Sequence, residues 1–213
     1  MNLFKVLLYI HIFCGGLSFI IGMIVLFMKK GNDIHKKLGK LFYYLLLTSS
    51  LISLAMSVMH KDYFLFIVGI FTAYMLISGK LYINLKSKND VTNANWAISA
   101  LMFVFGLAFL IFGIYKLIYK DSFGSVLMIF GLISFAFVTK DYQNFVTNNL
   151  HRNHYLRGHI SRMVGGYIAA VTAFLVVNNQ VLPVIVAWLL PTVVLVPFIV
   201  IWIKRYASVK KVE

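Results

Sequence analysis

Seven long apolar runs, broken by short stretches rich in Lys, Asn, Asp and Gly, dominate the chain. They lie near 3–28, 36–60, 62–84, 93–118, 122–140, 158–178 and 182–204. About 20 apolar residues suffice to cross a bilayer as a helix. The pattern therefore predicts an all-α, polytopic membrane bundle of seven transmembrane helices, with residues 1–213 forming a single transmembrane domain and no separate soluble one. The first run has no small-residue cleavage site and is followed directly by Lys29 and Lys30, so it reads as an uncleaved anchor.

Charge fixes an orientation for this pattern. Sixteen of the 20 Lys and Arg residues fall on one side of the seven predicted spans, leaving Lys5, Lys61, Lys116 and Lys120 on the other. The positive-inside rule then puts the N-terminus outside and the C-terminus in the cytoplasm. An even number of spans would destroy the separation. The expected location is a bacterial cytoplasmic (inner) membrane. Trp96, Trp188 and Trp202, with Tyr43, Tyr44, Tyr82 and Tyr119, fall mostly near span ends, as an aromatic belt does.

Composition agrees with this picture and removes some alternatives. Hydrophobic residues make up 61% of the chain and charged ones 12%, with a mean hydropathy of +0.88. A soluble domain carries about 25% charged residues. The net charge of +14 invites a nucleic-acid reading, but the basic residues cap apolar runs and form no stripe on a soluble face. No nucleic-acid partner is expected; membrane lipids are. Cys14 is the single cysteine, so there is no disulfide framework.

The candidate chemistry begins with an absence. Asp33, Asp62, Asp90, Asp121, Asp141 and Glu213 all fall in predicted loops or at helix ends. A cation-coupled transporter usually needs a carboxylate deep in the membrane. Histidines are the remaining candidates. At about 100° per residue, His11, Gly15, Ser18 and Gly22 share one face of the first helix. His35, Gly39, Ser49 and Ser53 share a face of the second, and His159, Arg162, Gly166, Ala170 and Ala173 one of the sixth.

Each imidazole is thus followed by residues with almost no side chain. One reading is helix packing, in which small residues let backbones approach and a polar group finds a partner. The other is a flat cofactor lying on the glycines, with imidazoles ligating its iron. At 1.5 Å per residue, His35 and His159 fall within about 5 Å of each other in depth, near the cytoplasmic boundary. They are the expected axial ligands of one haem b. His11 lies in the outer half without a histidine at its height; if it ligates anything, its partner there is Met56, Met128 or no protein group. The expected cofactor-binding set is His35, His159, His11, Arg162, Gly15, Gly39 and Gly166.

Arg162 has several readings: snorkelling to the boundary, an ion pair with Asp141, or a clamp on a haem propionate, a lipid phosphate or a quinone oxygen. His151 and His154 lie in a segment, 141–157, expected to run along the cytoplasmic surface. His60 reads as an ordinary outer helix end. Pro191 and Pro197 are expected to kink the last helix.

Five segments, HIFCGGLSFIIG, HKKLGKLFYY, FTAYMLISG, RGHISRMVGGYIAAVTAFLVVN and WLLPT, together resemble a family of bacterial multi-pass membrane proteins catalogued as a domain of unknown function. The likeness covers nearly the whole chain, and the motif histidines it implies are His11, His35 and His159. The layout is more loosely similar to small b-type membrane cytochromes. That similarity implies electron transfer with a quinone or a membrane redox partner. A small-solute transporter or channel is the second expectation, and a non-catalytic subunit or assembly factor the third. Oligomers would form through the Gly-rich helix faces.

Overall fold

The computed structural model describes residues 2–148 and 152–207. It is all-helical among those residues, with seven helices long and apolar enough to cross a membrane: α1 Leu3–Phe27, α2 Asp33–His60, α3 Tyr63–Tyr82, α4 Asn93–Ile118, α5 Phe123–Val146, α6 Arg152–Asn178 and α7 Val184–Tyr206.

Local sequence explains where the helices begin. Asn32 Oδ1 accepts from the His35 amide at 2.8 Å, and Asp62 Oδ1 accepts from the Leu65 amide at 3.0 Å. Thr92 and Asn95 close a reciprocal capping box on α4. Lys61 ends α2 in the left-handed region at φ 56° and lets α3 start two residues later. Serines inside the helices bond carbonyls of their own helix: Ser18 to Gly15, Ser50 to Leu47, Ser57 to Leu54 and Ser134 to Phe130. They satisfy themselves without water, as lipid surroundings require.

The centre of the bundle is α3. Every residue from Ile67 to Leu76 is buried, so α3 is covered on all sides instead of along one stripe. It packs on α2 and α6 and is closed by α4 and α5; α1 pairs with α2, and α7 lies on α6. Ile67, Ile70, Phe71, Tyr74 and Met75 of α3 join Met102 and Phe109 of α4 and Leu127 of α5 in one apolar cluster.

Two boundaries differ from the sequence pattern in a way that matters. α5 runs past residue 140 to Val146, and α6 begins at Arg152 instead of near 158. The expected surface segment 141–157 is therefore mostly helix, and residues 147–151 lie between the two helices. Its polar residues stay helical because Asp141 and Asn144 are buried and find partners inside the bundle. His151 lies outside the described residues. Pro191 and Pro197 both sit within α7.

Candidate functional site

The seam between α3 and α6 organises the polar interior. Met75, Gly79 and Tyr82 stand on the face of α3 that meets Gly158, Arg162 and Gly166 of α6. Gly158 lies flat against the Tyr82 ring, and Gly79 lies against Arg162. Close backbone approach brings two polar groups of α6 inward, one to each side of the seam.

On one side, Arg162 reaches Asp141 of α5 at 2.5 Å. The Asp141 carboxylate also accepts from Tyr74 Oη at 2.6 Å, Tyr82 Oη at 2.7 Å and Ser99 Oγ at 2.7 Å. Four donors from α3, α4 and α6 thus converge on one fully buried carboxylate. Arg162 donates as well to the Phe137 carbonyl at 3.1 Å and lies over the Phe137 and Tyr74 rings, 4.1 and 4.9 Å from their centroids. Asn144 Nδ2 donates to Tyr82 Oη and completes the network. A buried charge needs this much compensation. The sequence reading placed Asp141 at the end of a helix, near the surface. It is instead inside the bundle, and of the roles expected for Arg162 the ion pair is the one formed.

On the other side of the seam His159 Nδ1 donates to the Gly79 carbonyl at 2.8 Å, which leaves Nε2 as the basic nitrogen. His159 lines a cavity of about 500 Å³ at the end of the bundle where most Lys and Arg residues lie. Its walls come from the C-terminal ends of α1, α3 and α7 and the N-terminal ends of α2 and α6. Leu26, Phe42, Leu156, Ile160, Met163 and Tyr167 supply apolar lining. Lys30, Lys36, Lys40, Lys80 and Arg152 surround it with positive charge, and among the described residues no Asp or Glu lines it. His35 lines it too, and Gly39 faces open space, with no atom within 4 Å of where a Cβ would stand.

Two of these cations have structural work. Lys30 Nζ donates to the carbonyls of Val25, Leu26 and Met28 at 2.5, 2.7 and 3.1 Å and lies 4.3 Å from the Trp202 ring centroid. Burial draws its amine down to about 8, while the three carbonyls at the end of α1 favour the ammonium. Lys80 Nζ lies over the Tyr43 and Tyr44 rings and donates to Tyr44 Oη at 3.1 Å.

Of the residues singled out in the sequence, the structure brings His35, His159 and Gly39 to one cavity. It places the others elsewhere. His11 Nδ1 meets the Ser49 carbonyl and hydroxyl, both at 3.0 Å, and Gly15 packs on Ser49 Oγ. Gly166 packs on Met75 and Leu76, and Arg162 is in the ion pair. His60 lies at the far end of α2 against the Phe4 ring, and His154 is in α6. For α1 and the later part of α6, the small-residue faces therefore serve helix packing.

Sequence reasoning missed Asp141 as an interior group, and with it Tyr74, Tyr82 and Ser99. The available signal was the set of hydroxyl-bearing positions inside apolar runs. It also missed Trp202 as a cavity residue; its Nε1, like His35 Nδ1, is buried without a hydrogen-bond partner among the described residues, and both residues line the cavity.

The fold and these two centres define a multi-pass membrane helix bundle with a buried ion-pair hub and a basic-rimmed apolar cavity. Compared with protein-family models, curated proteins and solved structures, the chain matches none.

Proposed function

We propose that this protein spans the bacterial inner membrane and binds an amphipathic acid in its cytoplasmic-side cavity. The ligand carries an apolar body and at least one carboxylate or phosphate. The observation that carries this reading is the composition of the cavity wall: apolar side chains inside, five cations around them, and no carboxylate among the lining residues. A volume near 500 Å³ is in the usual range for small-molecule sites, about 300–1,000 Å³. Lys30 and Lys80 are already engaged by carbonyls and tyrosines, so Lys36, Lys40 and Arg152 are the groups assigned to the acid. Lys36 also meets Asp33 at 3.1 Å, but both are well exposed and that pair is weak.

Two unpaired buried polar atoms support the same reading. Indole N–H is a donor only, and an unpaired buried donor costs about 1–3 kcal/mol. A ligand whose binding turns the Trp202 ring so that its N–H meets an oxygen would remove that cost.

The test uses purified protein in mild detergent with phosphatidylglycerol, phosphatidylcholine or a fatty acid added. The anionic amphiphiles should raise Tm and remain bound in native mass spectra, while phosphatidylcholine of the same chains should not. Replacing Lys36, Lys40 and Arg152 together by Gln should remove the difference. Replacing Lys29 and Lys37, which do not line the cavity, should leave it. Equal response to acidic and zwitterionic lipid, or an unchanged triple variant, would overturn the proposal.

A further inference from the structure

We infer that the amphipathic acid this cavity holds is haem b, with its iron ligated by His35 and His159. The inference rests on the cavity reading above and gives its ligand a chemical identity.

The argument starts from the imidazoles. Three histidines lie on small-residue faces, and the structure separates them. His11 is satisfied by Ser49. His35 and His159 come from different helices, α2 and α6, and line the same cavity. His159 has the arrangement an iron ligand requires: Nδ1–H is fixed on a backbone carbonyl, which sets the tautomer and leaves the Nε2 lone pair for a metal. His35 is held by its backbone, whose amide donates to Asn32 Oδ1, while its Nδ1 is buried with no partner among the described residues. That nitrogen is closed off from the cavity, so Nε2, the other ring nitrogen, is the one assigned to the iron.

The rest of the wall suits a flat macrocycle. Gly39 lies one turn beyond His35, and the space its missing side chain leaves is open, unlike that at Gly15, Gly22 or Gly166. Gly16 and Gly31 are open as well, but Gly39 is the one of the three that both sits within a helix and lines the cavity. Phe42, Tyr43, Tyr167 and Trp202 give the ring apolar and aromatic surroundings. The two acid groups that haem carries match Lys40 and Arg152. No carboxylate among the lining residues competes for the iron or repels those acids.

The experiment is an absorption spectrum of full-length protein purified from cells supplied with a haem precursor, oxidised and then reduced with dithionite. The expected result is a sharp reduced α-band and a low-spin signal in electron paramagnetic resonance of the oxidised form. His35→Ala and His159→Ala should each abolish the low-spin signal, and added imidazole should restore it in His35→Ala. Since His159→Ala also removes the bond to Gly79, His159→Met provides a second reading: retained haem with an altered α-band. Folded protein that binds phosphatidylglycerol but shows no α-band would overturn the haem assignment and leave the cavity reading standing. A low-spin spectrum unchanged in the double alanine variant would overturn the ligation. Folded protein that takes up neither haem nor acidic amphiphile would overturn both.

Discussion

The guanidinium of Arg162 meets the carboxylate of Asp141 at 2.5 Å, with 3% and 0% of the two side chains exposed. Each comes from a different helix, and the hydroxyls of Tyr74, Tyr82 and Ser99 add α3 and α4 to the same carboxylate. Removing one partner leaves the other as an unpaired charge in a dry interior, which costs about 3–5 kcal/mol. Asp141→Asn and Arg162→Met should therefore each lower Tm strongly in detergent. The double variant should recover part of the loss, because neither charge remains. The check is a double-mutant cycle by thermal unfolding. Additive losses would mean that the two residues contribute through separate packing and not through their pairing.

Gly158 and Gly16 make a contrast that tests the packing account of the small residues. A Cβ at Gly158 would stand 2.5 Å from Tyr82 Cδ1, and Tyr82 cannot swing away because its hydroxyl is bound to Asp141. Gly158→Ala should cost about 1–3 kcal/mol, the usual range for overpacking. A Cβ at Gly16 would meet nothing within 4 Å. Gly16→Ala should leave stability unchanged or raise it by up to about 1 kcal/mol, the helix propensity gained. Paired melting curves decide the matter, and equal effects at both positions would refute it.

Lys30 closes the end of α1 by filling three of its carbonyls from beneath Trp202. Lys30→Met keeps the stem and removes the donors, so the last turn of α1 should fray. Hydrogen exchange should quicken at the amides of 25–28 while those of α3 stay protected. Uniform acceleration across the bundle would instead make Lys30 a global anchor.

The sequence carried the number and type of helices, because lipid forces each span to satisfy its own backbone and so leaves a long apolar run for each one. It carried the small-residue face of α1 as well, with Gly15 and Gly22 packed where the periodicity put them. The pairing of Arg162 with Asp141 was legible only as one choice among several. Polarity alone reads Asp141 as a helix end, whereas its burial depends on donors 21 to 67 positions away in the chain. The cavity was half legible. Helical depth brings His35 and His159 to one level, but the part played by Trp202 and Lys40 depends on how α7 and α2 lie against α6. Periodicity within one helix says nothing about its neighbours.

The orientation expected from charge can be measured directly. The cavity lies at the end that holds most of the described Lys and Arg residues. Moving basic side chains across a membrane is opposed during insertion, so that end should face the cytoplasm. Cys14, the single native cysteine, is buried and gives a low labelling background. Lys37→Cys and Lys120→Cys place thiols on exposed residues at opposite ends of the bundle. In intact spheroplasts a membrane-impermeant maleimide should label residue 120 and spare residue 37; residue 37 should react only after the membrane is opened. The reverse pattern would put the basic cavity outside the cell, where a cofactor or acidic lipid would have to reach it from the other leaflet.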